Sequence, residues 1–205
     1  METIKVPLLE YGFAKSVPPG QAESGDLHFV RCTQEGILIA AVDGVGHGAE
    51  AASVANAALS VIRESLNEPV ISLIERCHQK LRGTRGVVLS LAFIDPKQAM
   101  MTWIGIGNVQ GVLVRARASQ GTAQETLLLR GGVVGAQLPP LQATVLPIAR
   151  GDTLYFATDG VRGEFAGNLP AMENPQRAAE RILDRFHNGI DDGLVLVARF
   201  TGIGL

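Results

Sequence analysis

The residues best suited to chemistry in this chain are aspartates. Eight occur among its 205 residues, and five of those that stand at the ends of apolar, strand-like runs are singled out. Asp43 follows Gly36–Val42 and precedes Gly44, while Asp159 follows Leu154–Thr158 and precedes Gly160. Asp26 leads into Leu27–Val30, and Asp191 and Asp192 lead into Gly193–Val197. Each Asp-Gly step alone is ordinary turn chemistry. Brought together, these carboxylates repel one another unless a cation sits among them, and no comparable Arg or Lys cluster accompanies them. A donor set of hard oxygens points to Mg²⁺ or Mn²⁺. Four histidines with no ligand-spaced pair argue against zinc.

The stretch Asp43-Gly-Val-Gly-His-Gly48 opens an Ala-rich helical pattern. Its glycines allow tight turns and leave backbone carbonyls open to an ion. The order strand, glycines, helix also occurs in nucleotide loops, but the spacing here is G-x-G-x-G and no Gly-Lys-Ser/Thr follows. An aspartate at the loop's start would also repel phosphate. His47 lies within the loop; a general acid must first meet a geometric test, so it stays outside the predicted catalytic set. Arg82, Arg85 and Arg130 read as solvated surface cations, and His28, His78 and His187 as incidental.

The elements that must position these groups follow from periodicity. Short β-branched or apolar runs at Leu27–Cys32, Gly36–Val42, Val87–Ile94, Ala99–Ile104, Val109–Ala116, Glu125–Arg130, Thr153–Ala157 and Leu194–Phe200 predict strands. The four between Val87 and Arg130 are separated by breaks too short for parallel crossovers, which predicts an antiparallel meander. Helical period appears after Gly48 (Ala51, Val54, Ala55, Ala58, Ile62, Leu66) and again after Pro69 (Val70, Ile74, Cys77, Leu81). These two helices are close enough in sequence to pair as a hairpin. A third helix has Asn174 as cap and Pro175 as first position, with Ala178, Ala179, Ile182, Leu183 and Phe186 as its buried face. The fold class is α+β, with helices layered on sheets.

Composition fits one domain spanning residues 1–205. Hydrophobic residues are 46% and charged residues 19%, too apolar for disorder. A net charge of −2 leaves no footprint for nucleic acid. Two cysteines, Cys32 and Cys77, exclude a disulfide framework and fit reduced, buried thiols. The start is unlike a signal peptide and no run approaches a membrane span, so a cytoplasmic protein without membrane contact is the expectation.

Asp43-Gly-Val-Gly-His-Gly48, Ala157-Thr-Asp-Gly160 and Asp191-Asp192 have the order and spacing found in the metal-dependent protein phosphatases. The branch that the chain resembles is the bacterial regulatory one, typified by the SpoIIE catalytic domain. Ser24-Gly-Asp26 matches that branch's Gly-Gly-Asp element with one substitution, and Gly83-Thr84 and Gly105-Ile-Gly-Asn108 match its central turns. The resemblance runs from about Ser24 to Phe200 and implies a four-layer αββα sandwich, two antiparallel sheets flanked by helices. It implies that Asp43 bridges two Mn²⁺ or Mg²⁺ ions, with the Gly44 carbonyl as a further ligand. Asp159 and Asp191 would complete one metal site, and Asp26 would hold a metal-bound water. Asp192 ranks second to Asp191, and Leu194 stands where the family commonly has Thr.

The activity implied is hydrolysis of phosphoserine or phosphothreonine by metal-activated water, with no covalent intermediate. A free-standing unit of this size resembles the feedback phosphatases of the bacterial stressosome, which implies phosphorylated STAS-domain stressosome subunits as substrate. The alternatives are a phosphatase acting on another regulator, such as an anti-sigma-factor antagonist, and a catalytically silent partner-binding module.

Overall fold

A computed structural model of the chain describes residues 4–6, 8–18, 20–117, 123–169 and 173–202. In chain order the elements are β1 (Ile4–Val6), β2 (Leu9–Ser16), β3 (Asp26–Cys32), β4 (Ile37–Gly44), α1 (Gly48–Glu64) and α2 (Val70–Lys80). Then come β5 (Val87–Asp95), β6 (Met100–Ile106), β7 (Gln110–Val114), β8 (Gln124–Thr126), β9 (Leu129–Arg130) and β10 (Thr144–Pro147). The chain continues through β11 (Thr153–Ala157), a short 3-10 segment (Gly163–Asn168), α3 (Pro175–Phe186) and β12 (Gly193–Phe200). One sheet runs β1-β2-β12-β11-β7-β8; the other runs β10-β6-β5-β4-β3, with β9 beside β6.

The sheets stack face to face with helices outside each, which is the predicted αββα sandwich. Period-two alternation produces the layers. On β4, Ile37, Ile39 and Ala41 join the core between the sheets. Leu38, Ala40 and Val42 point outward under α1 and α2. On β12, Leu194, Leu196, Ala198 and Phe200 face inward, and Val195 and Val197 pack under α3. Both strands are buried on both faces, which explains their unbroken apolar runs. The same parity carries Asp43 and Asp192 toward the gap between the sheets, at one end of the sandwich.

Three helices form where predicted among the described residues. Asn174 caps α3 by accepting from Gln176 N and Arg177 N. Pro69 is the N-cap of α2, its extended ψ of 146° keeping it outside the helix. Cys77 is buried and Cys32 half-buried; burial pushes the Cys77 thiol up to about 12.

The meander expected over Val87–Arg130 does not stay in one sheet. β5 and β6 form a hairpin in the second sheet, whereas β7 and β8 pair in the first. The switch occurs at Gly107, with φ +93°, where a Cβ would lie 2.2 Å from Val88 Cγ1. Loop length excludes a parallel crossover but does not specify which sheet receives the next strand. The run Glu125–Arg130 also breaks, because Leu127 N bonds Gly111 O while Leu128 turns 74% into solvent. Its second half, β9, joins β6 in parallel. Strands β1, β2 and β10 lie outside the predicted set.

Candidate active site

Four loops and strand ends bring the predicted aspartates together. Asp26 and Asp43 are register partners on neighbouring strands β3 and β4. Asp159 follows β11, and Asp191 and Asp192 precede β12, the strand paired with β11. A backbone chain ties the two sheets here: Gly44 N donates to Gly25 O (3.1 Å), and Gly25 N donates to Asp192 Oδ2 (2.8 Å). Gly44 is fixed by close approach, since a Cβ would stand 2.2 Å from the Ala51 carbonyl oxygen of α1. Gly160 is tighter still, at 1.8 Å from Asp192 O.

Thr158 organises the centre. Its hydroxyl donates to Asp26 Oδ2 (2.6 Å) and accepts from Leu194 N (2.8 Å), joining one sheet to the other. Asp26 is 1% exposed, and its own N–H donates to Ser24 Oγ at 3.0 Å. Asn108 Nδ2 donates to Asp159 Oδ2 (2.8 Å), and Asp192 N donates to Asp191 Oδ1 (2.8 Å). Asn188 caps the turn before the pair, its Oδ1 accepting from Ile190 N (2.8 Å) and Asp191 N (3.1 Å).

Electrostatics marks the cluster as starved of positive charge. Burial, then the carboxylates of Asp26, Asp159, Asp191 and Asp192, push the Asp43 carboxyl up to about 8. Burial pushes Asp26 up to about 7; the Thr158 bond works the other way, and Asp192 and Asp159 add to the rise. Asp159 is also raised, by burial and by Asp191, against its bond from Asn108. Lys15, opposite Leu194 on β2, lies close enough to favour ionised Asp26. His28 is no counter-charge: burial and Lys15 push it down to about 4, and its ring lies 3.9 Å from that of Phe13.

The donor set fits a hard divalent cation. Asp192 is 4% exposed and its Oδ1 is buried with no hydrogen-bond partner, an orphaned anionic oxygen in an all-oxygen cluster. The carboxylates do not close on one point: among the described residues no three His, Cys, Asp or Glu side chains form a ready-made metal-holding group. A cation would therefore also draw on a backbone carbonyl or water.

All five predicted positions, Asp26, Asp43, Gly44, Asp159 and Asp191, lie at this end of the sandwich, and Asp192 is the more buried of its pair. His47, at the N-cap of α1, makes no side-chain capping bond. Arg85 pairs with Glu50 above the glycine loop. Sequence reasoning assigned no role to Thr158, Asn108, Asn188 or Lys15, although Thr158 and Asn108 lie inside the quoted motifs. His187, which follows α3, bonds the Asp191 carbonyl at 2.9 Å.

A family model described as Stage II sporulation protein E (SpoIIE) matches residues 33–201. The phosphoserine phosphatase RsbX of Bacillus subtilis (strain 168) is 31% identical over 94 residues, covering 46% of this chain and 47% of that protein. The match thus spans about half the length of that relative. A chain described under "The bacterial stressosome: a modular system that has been adapted to control secondary messenger signaling" superposes with TM-score 0.84. It is 28% identical, and 93% of this chain and 99% of that one are covered. The crystal structure of RsbX in complex with magnesium also gives 0.84, at 20% identity, over 97% and 98% of the two chains. At that identity the likeness concerns the fold.

Proposed function

Since the chain belongs to the SpoIIE family, we propose that it is a protein serine/threonine phosphatase that depends on divalent metal and acts on phosphorylated STAS-domain proteins of a stressosome. The observation that carries the reading is the Asp26–Asp43–Asp159–Asp192 cluster, in which Asp26 and Asp192 are buried and the mutual repulsion of the carboxylates calls for cations. The substrate class rests on the similarity to RsbX and to the stressosome-described chain.

In this reading Asp43 and the Gly44 carbonyl hold the metal ions, two Mn²⁺ or Mg²⁺, together with Asp159 and Asp191. Asp26 orients water from its place beside Asp43. Bound divalent ions make water a better nucleophile at neutral pH and offset phosphoryl charge. The protein's own part is positioning. Thr158 fixes the Asp26 carboxylate, so its free oxygen has one direction in which to hold water. Asn108 fixes Asp159 in the same way. The buried Asp192 accepts from Gly25 N, which locks the β3 entrance to the β12 entrance and sets the width of the gap. The leaving serine or threonine oxygen departs toward solvent, where it takes a proton from water.

The test is phosphate release from a phosphoserine STAS protein with Mn²⁺, with chelator, and with Asp43→Asn. Release that needs Mn²⁺ and falls to background in the variant is the expected result. No release from any phosphoprotein with any divalent metal overturns the reading in favour of a partner-binding module.

A further inference from the structure

Four large hydrophobic side chains stand exposed among the described residues, and two of them flank the carboxylate cluster. Val45 is 36% exposed and follows the Asp43-Gly44 pair; Ile190 is 84% exposed and precedes the Asp191-Asp192 pair. Val45 follows β4 of one sheet and Ile190 precedes β12 of the other, so they stand on opposite sides of the gap into which the carboxylates project. Gly44 bonds Gly25, and Gly25 bonds Asp192, so the route from one apolar residue to the other runs across the mouth of the site.

Ile190 is displayed by a built turn. Asn188 Oδ1 accepts its N–H at 2.8 Å and that of Asp191 at 3.1 Å, and Asn188 N donates to Gly160 O at 2.8 Å. Gly189 takes φ +76°, which lets the chain turn back within two residues. A hydrogen-bonded turn holding an isoleucine in water gains nothing for folding from that side chain, whose apolar surface becomes favourable only when something covers it. On the other bank Val45 is anchored by its own N–H to Gly86 O at 3.1 Å. Arg85, whose guanidinium lies against Gly46, is paired with Glu50 and so is less available to an acidic ligand.

We propose that Val45 and Ile190 form a split apolar rim that grips the residues on either side of the phosphorylated residue, so that the substrate is a phosphoprotein segment with apolar flanks. The proposal rests on the phosphatase reading. A phosphoryl group directed into the cluster brings the chain before and after it over the two banks. Each bank offers an aliphatic side chain on a backbone already anchored by hydrogen bonds, so little backbone ordering opposes the contact.

The test uses two synthetic phosphoserine peptides with Mn²⁺, one with leucine and one with serine on both sides of the phosphoserine. p-Nitrophenyl phosphate serves as a third substrate. The wild-type protein should favour the leucine peptide by about tenfold in kcat/KM, the scale of an apolar contact, and the difference should lie in KM. Ile190→Asp should bring the ratio of the two peptides toward one, and Ile190→Leu should restore it. Equal wild-type values for the peptides, or a ratio unchanged in Ile190→Asp, overturn the apolar rim and leave the phosphatase reading standing. Failure of the wild-type protein on both peptides while it releases phosphate from the phosphoserine STAS protein overturns recognition of a local apolar segment; failure on that protein as well overturns the phosphatase reading, and the rim with it.

Discussion

Strand β11 has Asp152 just before its first residue and Asp159 two residues after its last, and the two ends differ electrically. At the first end Asp152 is 2% exposed, yet every oxygen is matched. Its Oδ2 accepts from Arg115 Nη1 (2.9 Å) and Ala149 N (3.0 Å), and its Oδ1 accepts from Ala116 N (2.9 Å). Arg115 also pairs with Glu125. At the other end Asp26 and Asp192 are comparably buried, at 1% and 4%, among carboxylates, with Lys15 as the nearby cation. Asp192 Oδ1 has no hydrogen-bond partner. Burial of a carboxylate is thus common to both ends, and charge balance separates them. A matched buried carboxylate holds a fold together; an unmatched cluster lowers the stability of the metal-free fold and gains it back when cations bind.

The largest way to test this contrast is pH. The Asp43 and Asp26 carboxyls are raised to about 8 and about 7 in the folded, metal-free protein. The unfolded values lie near 3.9. Between those limits the folded chain binds more protons than the unfolded one, so stability falls as pH rises from about 4 to about 8. A carboxyl that holds its proton one pH unit longer in the folded chain changes stability by about 1.4 kcal/mol. Thermal unfolding of chelated protein should therefore show Tm falling across that window, and Mn²⁺ should raise Tm far more at pH 8 than at pH 5. A metal-free Tm that climbs from pH 4 to pH 8 would break the comparison.

Substitution at the two ends should move stability in opposite directions. Asp152→Ala leaves Arg115 with one fewer partner and two N–H groups unmatched, at a cost of about 3–5 kcal/mol. Asp43→Asn removes one charge from a repelling set, so chelated protein at pH 8 should become more stable while losing its response to Mn²⁺. Urea unfolding of both variants checks the pair. Equal destabilisation by both would mean that Asp43 is as well matched as Asp152.

Much of this is legible in the chain, and the parts that are not have physical causes. The apolar runs at Gly36–Val42 and Leu194–Phe200 and the stripes of the three helices carry the layered fold, because period 2 and period 3.6 leave different residues on one face. Sheet membership after Gly107 is not legible, since a three-residue connection serves a hairpin and a jump between sheets alike. Strand β2, Leu9–Ser16, escapes a reading by pattern because its mixed residues lack a clean alternation; its pairing with β12 comes from tertiary context. Position at a strand end marks Asp26, Asp43, Asp159, Asp191 and Asp192, but it does not discriminate by itself. Asp95 also ends a strand and serves a turn, accepting from Lys97 N and Gln98 N. Asp152 precedes a strand and serves an ion pair. The motif order separates them, while the matching of charge is visible only in three dimensions.

The smallest effect sharpens the comparison most, because it acts on orientation. Thr158 donates from its hydroxyl across the sheets to Asp26 Oδ2 and also accepts from Leu194 N of the neighbouring strand β12. Thr158→Val keeps the shape, removes the hydroxyl, and leaves a buried N–H and a buried carboxylate oxygen unmatched. The stability cost should be about 1–3 kcal/mol. If Asp26 works by holding water in one direction, Mn²⁺-dependent hydrolysis should fall by about ten- to hundredfold, the usual toll for losing an orienting partner. The loss should sit in kcat, with KM for p-nitrophenyl phosphate little changed, and Thr158→Ser should restore it by returning the hydroxyl. A valine variant that loses stability but keeps full kcat would place Thr158 with Asp152, as a group that serves the fold alone.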